Sequence, residues 1–405
     1  MRILILGINY WPEETGIGAI TTYRAEYLAS MGHDVTVCTT FPYYPKWKVE
    51  ASYKGKHTSG EVRNGVRILR SYAYVPNRVT SMRRLLHEGS FVASSLVRAI
   101  LQTRPDILFV VSPPLGLTLN AVLLGWIWRT PYIFDVMDLQ PDAAANLGML
   151  PKWALNLLYK VERVAYCRAS LVSTLTKSMR ERIVEKGVPE RKIKLFELCA
   201  NDSLLDIDSD EGTSFRERYG LEKKFLVIHN GNMGMKQGLD VILDAAFLSR
   251  EDRSILFLII GDGAERLRIQ KRAQVLKLDN LRIMPLLNEI DFRGMLAASD
   301  VCLLTQRKSV SDIVFPSKIV TYLAAGRPLI ASVNARSEVA RTVLESKAGR
   351  IVEPENARAL LSEIREFRGS ELKEYSRHAR EYARQRWARA NILGYFEESL
   401  KAVSA

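Results

Sequence analysis

Two hydrophobic patterns alternate along most of this chain. Short apolar runs predict strands at Ile3–Gly7, Val35–Thr39, Val66–Arg70, Ile107–Val111, Tyr132–Asp135, Leu171–Thr174 and Lys194–Glu197. Between them, apolar positions spaced three and four apart predict helices at Ile20–Met31, Met82–Gln102, 115–128, Trp153–Ala169 and 177–186. The rhythm then restarts. Strands are expected at Phe225–His229, Ile255–Gly261, Leu281–Met284, Val301–Leu304, Leu329–Ala331 and Gly349–Val352, a helix at Glu289–Ala298, and helical structure from Ala357 onward. Apolar strands separated by helices belong to a parallel sheet covered on both faces. The fold class is therefore α/β, with two doubly wound parallel-sheet domains in series. The polar, acidic stretch 201–222 reads as a linker between a first domain, 1–200, and a second, 223–385, with a closing helix at 386–405. Ligands of such sheets bind beyond the carboxyl ends of the strands, and a cleft between two facing domains is the natural place.

Composition narrows the classes. A chain of 405 residues has room for two large cores, and 47% apolar with 25% charged residues is ordinary for a globular protein. Met1–Gly7 is too short for a secretory signal. The run 115–128 falls short of the ~20 residues that cross a bilayer, and Arg129-Thr130-Pro131 ends it, so a buried helix is expected. Cys38, Cys167, Cys199 and Cys302 are scattered and form no Cys-x-x-Cys pair, which argues against zinc and a disulfide framework and fits a reducing cytoplasm.

Net charge is +13, and residues 41–104 hold twelve Lys/Arg against three Asp/Glu. The same segment contains Phe41, Tyr43, Tyr44, Trp47, Tyr53, Tyr72 and Tyr74. Basic groups mixed with aromatics and an amphipathic helix suit an anionic lipid surface; a solvated face is the plainer alternative. No nucleic-acid-binding motif accompanies the charge, so nucleic acid is not an expected partner.

Candidate chemistry concentrates at His229–Leu239. A strand runs into a turn with Gly231, Gly234 and Gly238, and a helical pattern follows. Such a turn aims backbone N–H groups and a positive helix end at one point, where Lys236 adds a full charge. The alternative is a plain tight turn. The spacing is neither that of a Walker A loop nor Gly-x-Gly-x-x-Gly. Two further segments follow strand ends: Gly261-Asp262-Gly263, and Phe315-Pro316-Ser317-Lys318 leading into Ile319–Ala325. Lys236 and Lys318 could share one diphosphate, while Ser317 is either a phosphate ligand or a helix cap.

These motifs carry a resemblance. Gly-Asn-x-Gly-x-Lys-Gln-Gly-Leu at 231–239, Gly-Asp-Gly at 261–263, Pro-Ser-Lys at 316–318 and Ala-Ala-Gly-Arg-Pro at 324–328 resemble retaining glycosyltransferases of the GT-B fold, family 4. Tyr10-Trp11-Pro12-Glu13 with Gly16-Ile17-Gly18, and Leu28–Val35, are similar to the first loop and the helix-to-strand turn of that family. Residues 42–49 and 84–91 resemble transferases of colanic-acid and O-antigen biosynthesis.

The resemblance implies two Rossmann-like domains, the second binding a nucleotide-sugar donor and the first an acceptor, with a final helix returning to the first domain through Trp387, Ile392, Leu393, Phe396 and Leu400. It implies that Lys236 holds the donor diphosphate, where negative charge grows as the glycosidic bond breaks. Asn232 stands where a second cation is usual, so Lys318 is expected to supply it. The family's Glu-x7-Glu carboxylates are absent: the second aligns with Thr321, the first with Ile313 beside Asp312. Gly231, Asn232, Gly234, Gly261, Asp262, Gly263, Pro316, Ser317 and Thr321 are the expected donor contacts, with Leu286 and Leu287 near the base. Gly16 and Gly18 let backbone approach the donor phosphates and the acceptor. Asp138, after a strand end, is the candidate for the reacting hydroxyl; a carboxylate at a helix N-terminus is its alternative reading.

No metal and no cofactor are expected. A polyprenyl diphosphate-linked saccharide is the expected acceptor, with Lys46, Trp47, Lys48, Arg83 and Arg84 facing an anionic inner membrane from its cytoplasmic side. A sugar-nucleotide epimerase of the same fold and a non-catalytic sugar-nucleotide binding protein are the alternatives.

Overall fold

The computed structural model describes residues 1–13, 16–146, 150–309 and 315–404. The chain divides into two units, Met1–Glu197 with Ile392–Ala405, and Leu198–Asn391.

The first unit is built on an eight-stranded sheet: β1 (Arg2–Leu6), β2 (Asp34–Thr40), β3 (Thr58–Arg63), β4 (Val66–Ser71), β5 (Ile107–Ser112), β6 (Tyr132–Val136), β7 (Leu171–Thr174) and β8 (Ile193–Leu195). Their order is β3-β4-β2-β1-β5-β6-β7-β8, parallel except for β3 against β4. The apolar strands are fully buried, as continuous hydrophobic runs require of a sheet covered on both faces. The edge strand β3 is the element the hydrophobic pattern misses, since its residues alternate between exposed and half-covered. Its signal was the turn Asn64-Gly65, with φ of 47° and 80°, the positive values that a two-residue hairpin demands.

Deep in this unit Arg24 and Asp135, both buried, pair at 2.9 Å. Ser173 donates to Asp135 at 2.7 Å, and Arg24 donates to the carbonyl of Phe196 at 2.7 Å. An interior ion pair persists only when such extra hydrogen bonds offset desolvation. The helix Arg389–Ser404 completes the core, with the Phe396 ring 5.2 Å from Phe109 and 5.0 Å from Phe196. His33, a turn residue in sequence terms, pairs with Glu397 at 3.0 Å. Trp387 departs from the expected packing: the preceding helix stops at Arg386, and Trp387 stays in the second unit, edge-on to Tyr382 at 5.4 Å.

The second unit holds a six-stranded parallel sheet: β9 (Phe225–Asn230), β10 (Ile255–Ile260), β11 (Leu281–Met284), β12 (Val301–Thr305), β13 (Leu329–Ser332) and β14 (Gly349–Val352), in the order β11-β10-β9-β12-β13-β14. Chain order runs outward in both directions from β9 and β12, which makes their carboxyl ends the switch point where ligands of such sheets bind.

Two expectations need correction. Residues 201–222 are not a plain linker. They hold helices Asp202–Leu205 and Ser209–Tyr219, the second opened by an Asp208–Glu211 capping box. Arg216 donates to the Ala298 carbonyl and pairs with Asp300 at 2.8 Å, so the polar residues are caps and ion partners within the second unit. The apolar helix Leu117–Trp128 is covered on one side only: Leu119, Leu123, Trp126 and Ile127 are exposed.

Candidate functional site

The turn after β9 is fixed by its neighbours. Gly231 N donates to Ile260 O at 2.8 Å, Met233 N to Asp262 O at 2.8 Å, and Glu265 N to Met233 O at 2.9 Å. These bonds clasp it to the Gly261-Asp262-Gly263 turn after β10. A Cβ on Gly261 would overlap the Gly231 carbonyl oxygen, and one on Gly263 would sit 2.5 Å from Met233 O. Gly261 and Gly263 therefore let two backbones touch. Asp262 accepts from Gly263 N at 2.8 Å and lies 3.8 Å from Arg266, so its carboxylate serves its own turn.

The clasp uses some amides and leaves others. Among the described residues, the N–H groups of Asn232, Gly234, Met235 and Lys236 donate to no protein acceptor. Successive uncommitted amides in a turn form an anion-binding concavity. Lys236 is half-buried and has no carboxylate partner among the described residues. Its carbonyl accepts from Arg307 N at 2.9 Å, and the Arg307 side chain packs across Gly238. Arg307, which follows β12, was not singled out from sequence. Its buried Nε has no hydrogen-bond partner, and its guanidinium is paired with no carboxylate among the described residues. Unpaired cations of this kind await an anion. Nearby, Asn230 Oδ1, Gln237 Oε1 and Thr305 Oγ1 are also buried without partners.

Lys318 opens the helix Lys318–Ala324 and brings its amine 3.2 Å from His229 Nε2, over Gly231. Fully buried His229 holds its other ring nitrogen 3.2 Å from the Leu303 carbonyl. Burial draws the Lys318 pKa down to about 7, and burial together with the Lys318 charge keeps His229 well below the usual histidine range. The Lys318 amine thus faces the turn at Gly231, in surroundings that disfavour its charge while no anion is beside it. Ser317 is exposed and makes no cap hydrogen bond. Pro316 and Thr321 are half-buried, and Tyr322 Oη accepts from Asn230 N at 3.1 Å. Leu286 is exposed and Leu287 half-buried, just past the carboxyl end of β11. Asp312 and Ile313 lie outside the described residues.

A second polar cluster lies at the carboxyl edge of the first sheet. Gly16, with φ of 63°, turns the chain into the helix Ile17–Ser30. Gly18 leaves room for Glu13, whose Cβ would be 3.0 Å from a side chain there. Buried Glu13 accepts from Tyr43 N at 2.9 Å, Tyr44 N at 2.8 Å and Asn9 Nδ2 at 2.7 Å, and its burial raises its pKa. These bonds hold the loop after β2. Arg84 pairs with Glu88 at 3.0 Å, Gln140 bonds Glu88 at 2.9 Å, and Asp138, past the end of β6, acts electrostatically on Arg84 and Tyr44. Lys46, Lys48 and Arg83 are exposed, whereas Trp47 packs 5.3 Å from the rings of both Tyr43 and His87. Trp47 is thus half-buried and held by ring packing. Glu13 stands in the first-loop motif and His87 and Glu88 in the segment 84–91, but their roles here, and that of Gln140, come into view only through these contacts.

The two sites belong to a recognisable pair of modules. Residues 15–199 match the glycosyl transferase 4-like domain, and residues 212–386 match glycosyl transferases group 1. The chain is 32% identical, over 99% of its length and 100% of the relative's, to the putative colanic acid biosynthesis glycosyl transferase WcaI of Escherichia coli (strain K12). It is 26% identical to the probable glycosyltransferase WbjE of Pseudomonas aeruginosa, over 65% of this chain and 66% of that one. The crystal structure of Anabaena HepE in complex with UDP superposes with a TM-score of 0.74 at 16% identity, covering 99% of this chain and 100% of that one. With both modules present in order and a full-length relative at this identity, the chain belongs to the GT-B glycosyltransferases.

Proposed function

We propose that the protein is a retaining, family 4 transferase that moves a sugar from a nucleotide-sugar donor to a lipid-linked, polyprenyl diphosphate-borne saccharide during cell-surface polysaccharide assembly. It works on the cytoplasmic face of the inner membrane. The observation that carries the donor reading is the switch-point turn, whose amides are uncommitted and whose neighbouring cations Lys236 and Arg307 have no carboxylate partner among the described residues. A nucleoside diphosphate leaving group gains charge as the glycosidic bond breaks, and preorganised donors aimed at that charge lower the barrier. In this reading Lys236 and Arg307 face the diphosphate, and Lys318 becomes fully charged when it arrives. The departing phosphate accepts the acceptor's proton on the same face of the sugar, and Asp138 orients the reacting hydroxyl. No metal is required. The relative's role in colanic acid biosynthesis supports the acceptor class.

The test is incubation with UDP-, GDP- and dTDP-sugars, with and without polyprenyl diphosphate saccharides. Acceptor-dependent release of nucleoside diphosphate, unchanged by a chelator and giving a product with the donor's anomeric configuration, supports the reading. Interconversion of sugars without acceptor identifies an epimerase, and tight binding without turnover a non-catalytic binder.

A further inference from the structure

Three helices of the first unit pack side by side: Ser81–Ile100, Leu117–Trp128 and Lys152–Arg168. The first two are joined closely, with Gly116 against Val92 and Asn120 donating to Val92 O at 2.8 Å. Each turns an apolar stripe outward. On the first, Met82, Leu86, Gly89, Ala93, Val97 and Ile100 fall at helical spacing and are all exposed. The second adds Leu119, Leu123, Trp126 and Ile127, and the third Trp153, Leu157 and Val164. Trp126 is 79% exposed and Trp153 72%. Single exposed apolar residues are unremarkable, but stripes on three adjacent helices form a patch that water does not favour.

Charge identifies the occupant. The acids of these helices, Glu88 and Glu162, are tied to Arg84 and Lys186. The charges left exposed are Arg83, Lys152, Lys160, Arg163 and Arg168, all positive. Apolar stripes on helices whose own exposed charges are all cationic fit neither water nor a second copy of the same face, which would bring like charges together. We propose that this three-helix face is the membrane-docking surface, that it takes an anionic lipid bilayer, and that Trp126 and Trp153 are its interfacial anchors. Tryptophan suits that depth because its ring is apolar and its N–H finds headgroup oxygen. The stripe of the first helix begins at Met82, beside Arg83 and Arg84 at the carboxyl-edge cluster. A lipid-linked diphosphate would therefore reach that cluster along the docked face. This last step rests on the proposed function, whereas the docking does not.

The experiment is co-sedimentation of the full chain with phosphatidylcholine vesicles, with and without phosphatidylglycerol, in parallel with UDP binding. Wild-type protein is expected to bind the anionic vesicles, and brominated lipid to quench its tryptophan fluorescence. Trp126→Ser/Trp153→Ser, and separately Lys152→Glu/Lys160→Glu/Arg163→Glu, should each lower partitioning on the order of tenfold or more, with melting and UDP binding unchanged. Trp47→Phe should leave partitioning unaltered. Equal vesicle binding by wild type and both variants would overturn the proposal, as would no vesicle binding by wild type, or a dimer in solution that the Trp variant disrupts. Loss of UDP binding or of transfer with docking intact would count against the proposed function alone.

Discussion

Lys318 sets a proton count for nucleotide binding. With a pKa near 7, its amine is charged in about a tenth of free molecules at pH 8, half at pH 7 and nine-tenths at pH 6. A diphosphate beside it favours the ammonium and lifts the pKa back toward the usual lysine range. Binding of UDP should then take up about 0.9 proton at pH 8, and less as pH falls toward 6, where Lys318 is already charged and the nucleotide begins to release a proton of its own. The nucleotide supplies no proton at pH 8, since its last phosphate ionises near pH 6. Well above pH 7 affinity should fall on the order of tenfold per unit, until the pKa of the bound form is reached. Isothermal calorimetry in two buffers of different ionisation enthalpy reads the count directly. Lys318→Met keeps the aliphatic stem and should abolish the uptake at pH 8. Stability carries the opposite sign. Because the folded pKa is depressed, the unfolded chain holds a proton that the folded chain lacks between about pH 7 and the ordinary lysine value near 10.5. The amine therefore costs nothing above that window, costs progressively more as pH falls through it, and costs a constant amount below it. The upper bound is about 5 kcal/mol, less after relaxation and water entry. Lys318→Met should accordingly raise the melting temperature at pH 7 while weakening UDP. A zero proton count at pH 8 in wild type, or an unchanged count in Lys318→Met, would refute this reasoning.

Other substitutions address the neighbouring features. Lys236→Ala should lower turnover roughly 100- to 1000-fold with little change in melting, as expected for loss of one charge-stabilising donor; steady-state kinetics check this. Arg307→Gln should weaken UDP about ten- to hundredfold in a binding titration, the worth of one charged hydrogen bond, while Arg307→Lys recovers part of the loss. Gly261→Ala drives a methyl into the Gly231 carbonyl and should destabilise the second unit by several kcal/mol in chemical denaturation. Arg24→Met leaves Asp135 buried without its cation and should cost about 3–5 kcal/mol, with Arg24→Met/Asp135→Leu recovering much of it in the same assay.

The two-sheet architecture could be read from the chain because buried parallel strands are uninterrupted apolar runs, and Phe225–Asn230 or Ile255–Ile260 could hardly be anything else. The donor turn was legible for a related reason: only glycine fits where two backbones touch, so Gly261 and Gly263 mark the contact in the sequence. What remained hidden depended on partners distant along the chain. Arg307 is one arginine among many until its backbone is seen bonded to Lys236. Glu13 closes a recognisable loop motif, but that its carboxylate accepts from the amides of Tyr43 and Tyr44 is written nowhere in the sequence. The helix Leu117–Trp128 was misjudged because an apolar run does not say whether its far side meets protein. The depressed pKa of Lys318 could not be anticipated, since burial beside His229 is a tertiary fact.

The seat of Phe396 between Phe109 and Phe196 has a consequence for synthesis. The second unit is one continuous segment, Leu198–Asn391, and can fold as soon as it leaves the ribosome. The first unit cannot finish until Ile392–Ala405 has followed the second unit out. At ordinary translation speeds roughly ten to forty seconds separate the two halves of that core. Through this interval the rings of Phe109 and Phe196 lack their covering helix, and the nascent first unit is the form of the protein most in need of a chaperone.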